Sequence, residues 1–216
     1  MKILGLTGSI AMGKSEAGRM FRRLGVPVFD SDAAVHLLLA RDRQVRRAIA
    51  ERHPECVVDG AIDRHCLGAR IFRNADERNW LERLLHPRVR AASHAFLRRQ
   101  QAMRRPLVVL DIPLLFETGG ERRVDWIAVV SAPAFIQKRR ALARAGMTPA
   151  RLAAILARQL PDREKRLRAD ILLPTGQGRR YTFREICRFL KAGRPIPSRR
   201  RLLRRRQKRR RNPHVA

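Results

Sequence analysis

The chain has 216 residues, 44% of them hydrophobic, which is enough for one cored domain with at most a small insertion. Its 49 Lys and Arg against 19 Asp and Glu give a net charge of +30, a balance suited to an anionic substrate such as a phosphate ester. No stretch approaches the roughly 18 uninterrupted apolar residues of a membrane helix, and the N-terminal apolar run breaks into glycines and a lysine too early for a signal peptide. A cytoplasmic location is therefore expected.

In chain order, the run MKILGLTG reads as a first strand ending in glycine. SEAGRMFRRLG follows with helical spacing, Ala17, Met20, Phe21 and Leu24 on one face and Gly25 as the stop. VPVFDSD is a short second strand ending in acids. Residues 33–105 read as mostly helical, with turn signals around Pro54, Gly60 and Pro87. Within this stretch His53, Cys56, His65 and Cys66 lie close in sequence, but their spacing fits no common zinc module. The three cysteines are odd in number and form no CxxC, so no disulfide framework is expected.

PLVVLDIP reads as a strand reaching Asp111, and VDWIAVVSAP as another from about Val124 to Val130. Next comes a helical hairpin. PAFIQKRRALARAG starts after Pro133 and stops at Gly146; RLAAILARQL begins after the Thr148-Pro149 cap and runs to Pro161. ADILLPTG is a last short strand. Strands alternating with helices imply an α/β fold with a mainly parallel sheet, whose ligands bind beyond the carboxyl ends of the strands. Residues 194–216 hold eleven Lys or Arg and no acid, leaving +19 of the +30 to residues 1–193. Such a tail is expected to be disordered. Its partners would be weak, non-specific ones, nucleic acid or an anionic surface, and it has no aromatic side chain on which a base could stack.

The segment GSIAMGKS, residues 8–15, fits GxxxxGK[ST]. A chance match in a chain this long is about a one-in-a-hundred event, and the placement between strand and amphipathic helix lowers that further. Glycines such as Gly8 and Gly13 let backbone N–H groups turn towards phosphate oxygens. The helix that follows points its positive end at the anion. Lys14 would reach the β- and γ-phosphates of ATP, and Ser15 would ligate Mg²⁺.

Two acids follow at Asp30 and Asp32. A kinase acting on a hydroxyl needs a carboxylate to orient it and accept its proton. Either acid could instead cap the next helix, and only one should face the crevice. With a phosphate loop nearby, Asp32 is favoured as the catalytic one. Asp111, after an apolar strand, resembles a Walker B carboxylate that holds magnesium. In HPRVR, Arg88 and Arg90 offer forked donors, although spacing alone favours a solvated helix start. Arg140 and Arg144, four apart on the helical hairpin, share a face from which a lid closes over ATP.

Taken together and in order, ILGLTGSIAMGKS, VPVFDSD, HPRVR, VLDIPLLFE, VVSAPAFIQKRRALAR and RQLPDREKRLRADILL resemble the dephospho-CoA kinase family from about residue 2 to 180. The resemblance implies transfer of the γ-phosphate of ATP to the ribose 3′-hydroxyl of dephospho-CoA, the last step of coenzyme A biosynthesis, with Mg²⁺. It implies a P-loop three-layer α/β/α fold with a five-stranded parallel core sheet. The core would comprise residues 1–31, 106–132 and 168–193, the helical substrate domain about 32–105, and the lid about 133–167. It casts Asp32 as general base, Lys14 and Arg140 as catalytic, and Gly8, Ala11, Met12, Gly13, Lys14, Ser15, Glu16, Arg140 and Arg144 as the ATP site. His86, Arg88, Leu114 and Leu115 fall with Asp32 on the acceptor side, and Ser15 and Asp111 on the metal.

The chain departs from the family at Ala11, usually glycine, and at Glu16, usually threonine. Ala11 disfavours positive φ, and Glu16 puts negative charge near the phosphates. Near the adenine, where the family often has Asp-Asn, the chain reads LPTG. Three rival readings remain: a nucleoside or shikimate type of P-loop kinase, a P-loop protein that binds nucleic acid through its tail, and an inactive homologue.

Overall fold

The computed structural model describes residues 1–193; the basic tail lies outside the described residues. β1 (Lys2–Thr7) is the central strand of a five-stranded sheet. It pairs in parallel with β5 (Leu107–Asp111) on one side and β6 (Trp126–Ser131) on the other. β2 (Val28–Asp30) and β7 (Ile171–Pro174) form the edges, giving the order β2-β5-β1-β6-β7, every pair parallel. The apolar runs read as strands because both faces of the sheet are covered. Ala128 and Val130 face a cluster built with Met20, Phe21, Ile186 and Phe189, whereas Val129 between them packs on Phe116 and Ala169. The first cluster seats α1 (Lys14–Arg23) and α9 (Arg179–Ala192). α8 (Asp162–Arg168) lies against β6.

Between β2 and β5 stands a largely helical unit with its own core of Leu39, Val45, Ile49, Cys56, Leu67, Leu81 and Leu85. It consists of α2 (Ser31–Arg41), α3 (Arg43–Arg52), α4 (Arg64–Arg73) and the 28-residue α5 (Ala75–Ala102). Asp42, Asp63 and Asn74 cap three of these helices by accepting backbone N–H groups. A small antiparallel hairpin, β3 (Val57–Val58) and β4 (Ala61–Ile62), interrupts the helices at the Gly60 turn signal.

The structure departs from two expectations, at Pro87 and at the cysteines. Pro87 does not break the chain but sits inside α5. The missing N–H costs about 3 kcal/mol, which the burial of Leu81 and Leu85 in the turns before it offsets. Cys56 and Cys66 are joined by a disulfide, because the hairpin brings their Cα atoms to 5.4 Å. His53, a neighbour of theirs in sequence, bonds instead to Glu77 at 2.8 Å. Among the described residues no group of His, Cys, Asp and Glu is arranged to hold a metal by itself, and no helix is long and apolar enough to cross a membrane.

The helical hairpin expected after β6 is α6 (Ala134–Leu142) and α7 (Pro149–Ala157), the latter capped by Thr148.

Candidate nucleotide and acceptor site

The loop between β1 and α1 packs so tightly on β6 that residue 8 must lack a side chain: a Cβ there would lie 2.3 Å from Val130 Cγ2 and 2.9 Å from Val130 O. Gly13 has φ +91° and Ala11 φ +59°, so the loop does turn left-handed at the position where the family usually has glycine. Three side chains fix its path. Ile10 N–H donates to Gln159 Oε1 at 3.0 Å, Gln137 Nε2 donates to Ile10 O at 2.9 Å, and Thr175 Oγ1 donates to Met12 O at 2.6 Å. Gly13 begins α1 without any side-chain cap, which leaves the first amides of the helix for a ligand.

Over this loop opens a cavity of about 560 Å³. Its lining includes residues 8–16; Asp32 lies beside Lys14 and Arg179 beside Glu16, and Pro113, Gly178 and Thr182 also line it. Arg140 and Arg144 reach it from the α6–α7 hairpin. Arg140 donates through Nη2 to Thr175 O at 2.8 Å and through Nη1 to Thr175 Oγ1 at 3.3 Å, which holds α6 against the end of β7.

Lys14 Nζ is 2.6 Å from Asp111 Oδ1 and 3.7 Å from Asp32 Oδ2. Asp111 is only 2% exposed. Burial pushes its carboxyl up, against the pull of Lys14, and the charges of Asp30 and Asp32 push it the same way as burial. The register of the sheet places Asp30 level with Asp111 at the carboxyl ends of β2 and β5. The two candidate roles for the acids are divided between them. Asp30 accepts from Ala33 N–H at 3.0 Å and caps α2. Asp32, one step into the first turn, is left exposed beside Lys14.

The structure thus brings Gly8, Ala11, Met12, Gly13, Lys14, Ser15, Glu16, Asp32, Arg140 and Arg144 to one cavity, with Asp111 directly behind Lys14. It does not bring His86, Arg88, Leu114 or Leu115 there. His86 is exposed in the middle of α5. Arg88 is committed to Leu84 O and Gln44 Oε1, both at 2.9 Å, and to Asp42 at 3.5 Å. Leu115 is fully buried against Gly5 and Gly120, and Leu114 is partly exposed. Their neighbour Pro113 is the residue of that segment that lines the cavity.

Sequence reasoning misses Gln137, Gln159, Thr175 and Arg179. Gln159 lies in the RQLPD segment that carries the resemblance, but a glutamine has no charge pattern to mark it. Thr175 sits where the family often has an Asp-Asn pair, and it serves the loop through a hydroxyl instead.

A carboxylate beside the P-loop lysine, free of capping duty and open to solvent, is chemically able to accept the proton of an attacking hydroxyl. Fold and cavity together define a P-loop kinase. The family model described as dephospho-CoA kinase matches residues 2–178. A dephospho-CoA kinase of Paramagnetospirillum magneticum is 58% identical over 166 residues, 77% of this chain and 78% of that one. Among solved structures, TT1252 from Thermus thermophilus aligns with a TM-score of 0.74 and 33% identity, covering 88% of this chain and 96% of that one. The dephospho-CoA kinase from Campylobacter jejuni shares the fold at a TM-score of 0.62 and 20% identity, covering 89% and 97%. The chain belongs to the dephospho-CoA kinase family.

Proposed function

We propose that this chain transfers the γ-phosphoryl group of ATP to the ribose 3′-hydroxyl of dephospho-CoA, with Asp32 as general base. The observation that carries the reading is the position of Asp32, exposed at the cavity rim with its carboxylate 3.7 Å from Lys14 Nζ. A hydroxyl bound there would lose its proton to Asp32 as its oxygen bonds to the γ-phosphorus, and the bond from that phosphorus to the bridging oxygen would break to release ADP. Lys14 supplies positive charge where negative charge builds on the transferring group. Arg140 and Arg144 add to it from the lid. The loop amides and the uncapped start of α1 hold the phosphate chain.

For Mg²⁺, the donor set fits: one buried carboxylate, Asp111, and one hydroxyl, Ser15, leaving phosphate oxygens and water to complete the shell, as this cation prefers. When bound, the ion would neutralise charge on the β- and γ-phosphates. On this reading residues 32–105 form the acceptor domain and the α6–α7 hairpin the lid.

The test is ADP release by purified protein with ATP and Mg²⁺, offered dephospho-CoA, adenosine or shikimate. Stimulation by dephospho-CoA is expected; stimulation by adenosine or shikimate in its absence would overturn the reading.

A further inference from the structure

Glu16 is the departure from the family that ought to harm anion binding, yet its surroundings answer it. Its carboxylate is gripped by two guanidinium groups. Arg179 donates through Nε to Oε1 at 2.8 Å, with Nη2 at 2.6 Å from the same oxygen, and Arg19 Nη2 binds Oε2. Burial pulls the Glu16 carboxyl up, but the hydrogen bonds and charges of Arg179 and Arg19 outweigh it and hold it below the usual glutamate range. All three residues line the nucleotide cavity, and as ions they sum to one positive charge rather than one negative.

The start of α9 is fixed independently of this cluster. Thr182 Oγ1 donates to Pro174 O at 2.8 Å, tying the helix to the end of β7. Arg179 lies one residue beyond the segment matched by the family model.

The direction of the nucleotide follows from the acids. The γ-phosphate must face Asp32, on the side of Lys14. A phosphate chain bound that way would run along the first turn of α1 towards Glu16 and bring the nucleoside to residues 178–182, which line the cavity there through Gly178, Arg179 and Thr182. The guanidinium presented on that wall is Arg179. A planar guanidinium stacks on a base where an ammonium does not. We propose that Arg179, held in place by Glu16, is a nucleoside-binding residue of this kinase, packing its guanidinium on the base and ribose of ATP. Glu16 is the positioning residue, acting through Arg179. The proposal rests on ATP being the phosphoryl donor and on its γ-phosphate facing Asp32, but not on which alcohol accepts.

Calorimetric titration of the full chain with ATP, ADP and inorganic tripolyphosphate, without acceptor, tests it. The Arg179 side chain is 77% exposed, so truncating it leaves the fold intact. Arg179→Ala is expected to weaken ATP and ADP about fivefold and tripolyphosphate less than about twofold. Arg179→Lys, which keeps the charge, is expected to behave like Arg179→Ala. Glu16→Gln is expected to weaken ATP about twofold in the wild-type background and to add nothing in Arg179→Ala. Unchanged ATP affinity in Arg179→Ala, or tripolyphosphate weakened as much as ATP, would overturn the nucleoside contact. Equal effects of Glu16→Gln in both backgrounds would overturn the tether. Wild-type protein that binds ATP but does not phosphorylate dephospho-CoA would sink the proposed function and leave this inference standing.

Discussion

Ala11 holds φ +59° while only 6% exposed, so two opposing terms meet at one residue. A left-handed backbone costs a residue with a Cβ about 1–2 kcal/mol. The methyl packed beside Ala141 and Leu152 returns about 0.8 kcal/mol. The difference of about 0.2–1.2 kcal/mol favours glycine, so Ala11→Gly should raise Tm by no more than about 5 °C. Ala11→Val adds a branched Cβ to the same turn and overfills the site; it should cost about 2–3 kcal/mol in urea unfolding. An Ala11→Val protein as stable as wild type would contradict the strained turn. At this scale the sequence is most readable where chemistry is local. Residues 8–15 announce themselves because backbone turn, lysine and hydroxyl must be contiguous. Asp30 and Asp32 are not separable in sequence, since either could cap α2; only the three-dimensional path shows that Asp30 takes the cap.

Elements meet through buried or half-buried charges that no local pattern reveals. Lys165 of α8 is fully buried, with Nζ 2.8 Å from Glu117 Oε1, and the same oxygen accepts Leu160 N–H at 2.8 Å. This pair ties the segment after β5 to the chain leaving α7. Burial raises the Glu117 carboxyl, but Lys165 and the Leu160 N–H outweigh it and hold it low. Glu117→Gln would strand a buried ammonium and should cost about 3–5 kcal/mol in denaturant unfolding. Glu117→Leu with Lys165→Met should recover most of that; a double variant as unstable as Glu117→Gln would contradict the account.

In the helical unit, Glu77 is pulled down to about 2, chiefly by Arg52, with burial opposing and His53 assisting. Its folded value lies below its ordinary 4.5. Its contribution is therefore present above about 4.5 and is lost as pH falls through about 2. Wild type should lose Tm faster than Glu77→Gln across that window, and parallel curves would refute the pairing. Turn signals mislead at this scale only where packing overrides them. Pro87 reads as a break in any window, and α5 carries it because Leu81 and Leu85 are locked into a core. The Cys56–Cys66 bond is hidden in the sequence because an odd cysteine count says nothing about a hairpin that folds two of the three together.

The whole molecule is a basic protein acting on polyanions. Among the described residues, those that line the cavity over the P-loop run from Gly8 to Thr182. Removing residues 194–216, and with them eleven positive charges, should therefore leave kcat unchanged. In the full chain kcat/KM should fall a few-fold as ionic strength rises from about 0.05 M to about 0.2 M, because screening weakens steering of anionic substrates. The fold class is plain in the sequence, since strand and helix alternation sets a parallel sheet and the P-loop sets its first turn. The acceptor side is less so. His86 and Leu115 are named through the resemblance alone, and neither they nor Arg88 are among the residues that line the cavity with Asp32 and Pro113.

The most direct measurement is therefore made on the reaction product: mass spectrometry with ³¹P NMR of dephospho-CoA incubated with ATP, Mg²⁺ and either wild type or Asp32→Asn. The account predicts a new phosphate monoester on the ribose 3′-oxygen with wild type, and a rate lower by about a hundredfold or more with Asp32→Asn while ATP affinity stays within about twofold. A product phosphorylated elsewhere, or an Asp32→Asn protein as fast as wild type, would contradict it.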